Sequence, residues 1–378
     1  MIKRLHIWNF KSLRDVTIDF DPLTVLIGRS GAGKTNIVES LEFWRHYLIA
    51  QNFNVQQQSW ERVLSATDRG NSQFGIDIIF SVPGYTSDFR YKLEFALVKQ
   101  ILGGPSLIEE LLEIDGKMLF RQANGKWLTE PPMAQPVPAG ATSKLGDLYG
   151  LPEAGRAYLA LTAGLACYDF PSQVLTGSGT ANVRSQGLSR AGENYLEVFE
   201  RITSNLGDPF AIREILAALQ TLNSTVRTLE LDTRSRNRIL VGHAVEKKLA
   251  IYLELDQQSE GFRRFLAHML ALYQIPRPAT VVFEEVEKGI YPRALATLAD
   301  YFTQAVQSNR FQIILTTHSP QLLDHFPVEA LRVVEMPEYE TRVGPVSSEQ
   351  LEAVRASLLT TGELLTADPA RADMATAS

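Results

Sequence analysis

The sequence predicts an α/β fold: a mixed sheet with its chemistry at the strand ends, an antiparallel β subdomain, and a helical insertion between two halves of one core. Three observations predict it. An apolar run, Thr24–Ile27, enters the glycine-rich GRSGAGKT and then a helix with Ile37, Leu41, Trp44 and Leu48 at helical spacing. A second apolar strand, Thr280–Phe283, ends in adjacent glutamates, Glu284 and Glu285. A third, Phe311–Leu315, runs into TTHSP and puts His318 just past its carboxyl end, where ligand sites of open α/β sheets collect.

The elements follow in order. Ile2, Leu5, Ile7 and Phe10, then Val16, Ile18 and Phe20, alternate with polar residues and predict two strands joined by a turn. Strand patterns around Phe74–Ser81, Tyr91–Val98 and Leu107–Ile114, punctuated by Gly and Pro, predict an antiparallel meander. The Pro-, Ala- and Gly-rich stretch Thr129–Lys144 marks a boundary. A helix resumes near Glu153, and AYLALTAGLACY reads as a buried helix. After the Ser/Gly-rich PSQVLTGSGTANVRSQGLS come helical patterns at Asn194–Ile202 and Ile212–Leu222 and strands at Ile239–Val241 and Leu249–Leu255. A helix at Phe262–Tyr273 precedes the glutamate-bearing strand. Beyond it are a helix at Ala294–Val306, the histidine-bearing strand, a strand at Leu331–Glu335 and a helix at Glu349–Leu359. The small-residue ending PARADMATAS is expected to be disordered.

This order divides the chain into an N-terminal lobe with the β subdomain (1–130), a helical and loop insertion (131–238), a C-terminal lobe (239–365) and a tail (366–378). No internal repeat or sustained heptad pattern occurs.

Composition narrows the function classes. With 45% hydrophobic and 21% charged residues, the 378-residue chain has material for a sizeable core. A formal charge of −6 argues against a protein that mainly coats nucleic acid. Cys167, the single cysteine, excludes an intramolecular disulfide and a multi-cysteine zinc site and fits a reducing compartment. MIKRLHIWNFKSL lacks the apolar run of a signal peptide, and no stretch reaches the roughly 18 apolar residues of a membrane span. The expectation is a soluble, cytoplasmic protein with no membrane partner.

Gly28-Arg29-Ser30-Gly31-Ala32-Gly33-Lys34-Thr35 fits G-x-x-x-x-G-K-[ST]. Its glycines let backbone N–H groups turn inward around phosphates, and the following helix offers its positive end. Lys34 would reach the β- and γ-phosphates, and the Thr35 hydroxyl would ligate Mg²⁺. Glu284 and Glu285 alone read either as solvated carboxylates at a strand end or as a metal-and-base pair; beside a phosphate loop the second reading gains weight. His318 alone would be structural, and with the other two motifs it becomes a sensor or polariser of the γ-phosphate. In QQSEGFRRFLAHMLAL, Ser259 is a helix N-cap with Glu260 in the first turn.

The stretches HIWNFKSLRDVTI, DFDPLTVLIGRSGAGKTN, S-E-G-x-x-R, VVFEEVEKGIYP and IILTTHSPQLL, in this order, resemble ABC-type P-loop ATPases of the RecF/OLD/SMC group. The likeness is to compact OLD-like AAA ATPases without coiled-coil arms or a Toprim nuclease domain, and GLSRAGENYLEVFERI shares it. It covers the two ATPase halves well and the middle weakly. The family pattern D-E-P-E-x-G-[LI]-[HY]-P meets E-E-V-E-K-G-I-Y-P here, with Glu284 for Asp and Val286 for Pro.

The resemblance implies a P-loop NTPase fold of the ABC-type ATPase head. Gly28, Ser30, Gly31, Gly33, Lys34, Thr35 and Asn36 would hold ATP, with Thr35 and Glu284 for Mg²⁺, Glu285 as base and His318 as switch histidine. Ser259 and Gly261 would touch the γ-phosphate of ATP held by a second subunit, making ATP binding and homodimerisation one linked event. Lys11 is a further candidate to approach nucleotide.

The expected role is the ATPase subunit of an anti-phage defence system controlling a separate effector such as a nuclease. The alternatives are a RecF-like repair ATPase that binds DNA, through TRSRNR (Thr233–Arg238) or the Arg184/Arg190 loop, and an ATP-gated scaffold with negligible hydrolysis.

Overall fold

The fold is that of a computed structural model, which describes residues 1–50, 73–96, 106–123, 126–129, 145, 148, 151–176, 187–204, 208, 210–232, 238–245, 249–309 and 311–373. Two compact units emerge, one formed by Met1–Leu165 with Val328–Ser378, the other by Ala166–Pro327.

The first unit opens with the antiparallel pair β1 (Ile2–Phe10) and β2 (Leu13–Asp19), which match Leu5 to Ile18 and Ile7 to Val16. All five residues of β3 (Leu23–Ile27) are buried, and α1 (Lys34–Ala50) follows. Then come β4 (Gln73–Ser81), β5 (Asp88–Ala96), β6 (Ser106–Ile114), β7 (Lys117–Ala123) and β8 (Lys126–Thr129). With the first hairpin they form a seven-stranded antiparallel sheet ordered β2-β1-β4-β5-β6-β7-β8.

Period-two patterning builds this sheet: Phe89, Tyr91, Leu93 and Phe95 of β5 are buried on one face. Trp44 of α1 stacks on Phe74 and Phe95, with ring centroids 6.0 and 5.7 Å apart, so the helix's apolar stripe closes over that face. On the other, the Arg90 guanidinium bridges Asp77 (2.7 Å) and Glu113 (3.0 Å), and both carboxylates raise its pKa above the ordinary arginine value. The sheet runs two strands past the sequence expectation. β7 and β8 have weak apolar alternation, and the ladder supplied by β6 orders them.

Helix α2 (Pro152–Leu161) is shorter than expected: AYLALTAGLACY splits into helix and strand. Gly164 is the reason, because its amide reaches back to Leu159 O at 2.8 Å and closes the helix end.

After Leu165, the first residue of β9 (Leu165–Tyr168), the chain enters the second unit, which contains the rest of that strand, α3 (Tyr195–Thr203), α4 (Ala211–Leu222), β10 (Val226–Leu231), β11 (Ile239–Val245) and β12 (Leu249–Glu254). Next are α5 (Glu260–Tyr273), β13 (Thr280–Phe283), α6 (Pro292–Gln307), β14 (Gln312–Thr316) and the short α7 (Pro320–Leu323). Strands β10, β11 and β12 form an antiparallel sheet. β13 lies parallel to β14, pairing Thr280 with Gln312 and Phe283 with Leu315, and β9 flanks β13.

Beneath β13 the rings of Phe170, His268, Phe283 and Phe302 pack together, with His268 5.0 Å from both Phe170 and Phe283. His268 Nδ1–H donates to Arg264 O (2.7 Å), and complete burial pushes the ring pKa down to about 4.

The chain then returns to the first unit. β15 (Leu331–Glu335) runs parallel to β3, pairing Val333 with Ile27, and β16 (Arg342–Pro345) runs antiparallel to β15. α8 (Ser348–Arg355) stops short of Leu359, as Ser357 adopts a left-handed conformation (φ 58°). The tail expected from residue 366 departs from expectation as well. Ser347 N–H donates to Arg371 O and Asp373 N–H to Pro345 O, both at 2.8 Å, so backbone pairing orders the chain to residue 373; 374–378 lie outside the described residues.

Candidate functional site

In the first unit the phosphate-loop motif spans the gap between β3 and α1. Gly28 (φ 150°) sits where a Cβ would lie 2.1 Å from Val334 O of the adjacent strand. Gly33 (φ 105°) would place one 2.1 Å from Thr341 Oγ1. Both positions therefore require glycine. Ser30, Gly31 and Thr35 are exposed at the loop, whereas Gly33 and Lys34 are buried. The Lys34 ammonium curls into the loop and donates to Gly28 O (2.8 Å) and Arg29 O (3.0 Å).

A polar chain backs the loop. Asn36 Nδ2 donates to Ser12 Oγ (2.7 Å), which lies 2.6 Å from Thr341 Oγ1, and Thr341 Oγ1 donates to Ala32 O (3.1 Å). Ser12 and Thr341 were not singled out in the sequence. They are 329 positions apart; Ser12 lies within the HIWNFKSLRDVTI stretch, but nothing in the sequence couples it to Thr341. Lys11 forms an ion pair with Glu39 of α1.

In the second unit the carboxylates stand at the end of β13. Glu284 is buried, its N–H donates to Tyr168 O (2.9 Å), and its Oε2 accepts from Arg190 Nη2 at 2.6 Å. Glu285 takes a left-handed conformation (φ 45°), strained for a residue with a Cβ, held by its N–H to Thr316 Oγ1 (2.9 Å). Its carboxylate is half-buried and paired with Lys288. Val286, standing where the family pattern has proline, donates its N–H to Thr316 O (3.4 Å), a bond proline could not make.

His318 is exposed just past β14. Glu287 anchors this segment: its carboxylate accepts from His318 N–H (2.5 Å) and Thr317 Oγ1 (2.7 Å). Glu284, Glu285 and His318 are thus brought to neighbouring strand ends, with Thr316, Thr317 and Glu287 as cross-links. Glu287 was legible only as part of the E-E-V-E run.

Ser259 caps α5, its Oγ accepting from Phe262 N–H at 3.3 Å. Gly261 packs on the loop after the glutamates, where a Cβ would meet Gly289 O at 2.7 Å. A cavity of about 460 Å³ opens beside this helix start, lined in part by Ser259, Gly261, Phe262, Tyr291 and Arg293. Of the basic stretches considered for DNA, Arg184 and 233–237 lie outside the described residues. Arg190 and Arg238 are ion-paired, to Glu284 and Glu254.

The first unit has a parallel strand, glycine loop and helix start carrying a buried lysine, and the second has a carboxylate pair and a histidine at the ends of paired parallel strands; each is a feature of P-loop folds. Residues 1–102 match the family model described as "AAA ATPase domain", and residues 186–324 match "AAA domain, putative AbiEii toxin, Type IV TA system". The OLD nuclease of Thermus scotoductus is 23% identical over 356 residues, covering 88% of this chain and 62% of that protein. The DNA replication and repair protein RecF of Porphyromonas gingivalis is 33% identical over 90 residues, covering 22% of this chain and 25% of that protein. The solved SMC head bound to the C-winged helix domain of ScpA superposes with a TM-score of 0.58 at 13% identity, covering 93% of this chain and 99% of that one.

The chain thus spans 62% of the OLD relative's length and a quarter of RecF's. Its similarities are to the ABC-type P-loop ATPases of the RecF/OLD/SMC group. Among the described residues no helix is long and apolar enough to cross a membrane.

Proposed function

We propose that this chain binds and hydrolyses ATP as a homodimer sandwiching the nucleotide, and that a separate effector reads its nucleotide state. The observation that carries the reading is the Lys34 ammonium held inside a glycine loop at a helix start. That arrangement suits a polyphosphate, whose oxygens would replace the Gly28 and Arg29 carbonyls as acceptors.

In the proposed reaction Lys34 binds the β- and γ-phosphates. Glu285 takes the proton of the attacking water as its oxygen bonds the γ-phosphorus and the bond to the bridging oxygen breaks, giving ADP and phosphate. His318 polarises the γ-phosphate, and Ser259 with Gly261 engages it from the partner subunit. The oxygen donors Thr35 and Glu284 suit a hard cation, with Glu284 acting through water. When bound, Mg²⁺ supplies neutralisation of phosphate charge. A role in defence with a nuclease effector is supported by the likeness to OLD nuclease along 88% of the chain and by the similarity of residues 186–324 to a family that includes a toxin of a type IV toxin–antitoxin system.

The test is ATP hydrolysis by wild type and Glu285→Gln, with oligomeric state followed in the same samples. Lost turnover with a retained ATP-bound dimer is expected in the variant. Absent turnover in wild type with ATP-dependent assembly would replace hydrolysis by the scaffold reading. The RecF likeness favours a second reading, direct DNA contact; binding that weakens steeply with salt would support it.

A further inference from the structure

Arg190, in GLSRAGENYLEVFERI, and Glu284, in VVFEEVEKGIYP, form an ion pair that nothing in the sequence predicts. Glu284 is the carboxylate proposed to serve the divalent cation, and the inference below rests on that reading. Its side chain is 6% exposed and that of Arg190 35%, with Nη2 and Oε2 2.6 Å apart. The two ends therefore differ: the guanidinium can swing toward solvent on its long stem, while the carboxylate is confined.

The backbone presenting Arg190 is built from buried polar side chains. Asn194, 2% exposed, accepts from Ser189 N–H (2.7 Å) through Oδ1 and donates Nδ2–H to Gly187 O (2.9 Å). Gln274, 1% exposed, accepts from Leu188 N–H (2.7 Å) and donates to the Tyr168 hydroxyl (2.5 Å). Asp169 N–H donates to Arg190 O (3.1 Å), and Tyr168 O accepts from Glu284 N–H (2.9 Å). Hydrogen bonds thus link the Arg190 loop to the strand end that carries Glu284. A surface arginine that met a carboxylate by chance would need no such framework.

We propose that Arg190 is a resident counter-ion that competes with the divalent cation for Glu284 and so raises the cation concentration needed to bind nucleotide. A guanidinium held on Oε2 occupies part of the carboxylate's acceptor capacity and cancels its charge, the two properties a hard cation or its water shell requires. The glutamate at this position is part of the device. An aspartate, one methylene shorter, would withdraw from Arg190.

The experiment is a Mg²⁺ titration of the binding of a fluorescent, non-hydrolysable ATP analogue, read without turnover. In Arg190→Gln the half-saturating Mg²⁺ concentration is expected to fall about tenfold, the scale on which outer-shell partners alter metal affinity. Glu284→Asp, which keeps Arg190 and shortens its partner, should shift the same way. Arg190→Lys, which keeps a positive charge, should stay near wild type. An unchanged or higher Mg²⁺ requirement in both Arg190→Gln and Glu284→Asp would overturn this inference alone. A wild type whose analogue binding ignores Mg²⁺, or is absent, would overturn the functional reading and the inference with it.

Discussion

Lys34 places one ammonium inside the glycine loop, where the Gly28 and Arg29 carbonyls accept from it and where the proposed reading seats the phosphates. Lys34→Ala is expected to weaken ATP binding by at least about tenfold, the loss of a charge-assisted contact, in a fluorescent-nucleotide titration. Glu287 works at one remove by holding His318 through its backbone. Glu287→Gln should lower the ATP turnover rate while leaving nucleotide affinity near wild type.

His268 provides a pH signature. Its folded pKa of about 4 lies below the ordinary 6.5, so between those values the unfolded chain binds the proton that the folded chain refuses. The stability contribution is complete above pH 6.5 and is lost as pH falls toward 4, by at most about 3 kcal/mol. Denaturant titrations at pH 7 and 4.5 should show the drop, and His268→Phe should flatten it.

At the scale of elements, α1 joins two jobs: its first turn carries Lys34 and Thr35, the residues proposed to meet the nucleotide, and its third buries Trp44 against Phe74 and Phe95. Trp44→Ala should cost about 3–5 kcal/mol through the cavity it leaves, measurable as a lower denaturation midpoint at unchanged slope. In the second unit, the parallel pairing of β13 with β14 sets Glu285 beside Thr316 and allows the strained φ of Glu285. The buried strands were easy to recognise because each is a short apolar run ending in chemistry-bearing residues. Strands β7, β8 and β16 were not, because their order comes from the neighbouring ladder rather than their own patterning. The break in AYLALTAGLACY depends on one glycine closing a helix, a cue that apolar periodicity conceals.

For the whole molecule, linked binding and dimerisation would make thermal stability depend on both ATP and protein concentration. In the Glu285→Gln variant, saturating ATP should raise the melting temperature, and the increment should grow with protein concentration. An ATP-bound protein that stays monomeric in sizing experiments would remove the sandwich from the account.

The sequence by itself determined the strand–loop–helix start of the nucleotide core, the strand ending in Glu284 and Glu285, the strand leading to His318 and the Ser259 cap. Each depends on residues within one or two turns of chain, so composition and spacing suffice. Only the tertiary structure decided that Ser12 and Thr341 back the phosphate loop, that Glu287 anchors the His318 segment and that Arg190 occupies Glu284. Those pairs are 329, 31 and 94 positions apart, and a single polar contact at such separation imposes no periodicity on the sequence that joins it.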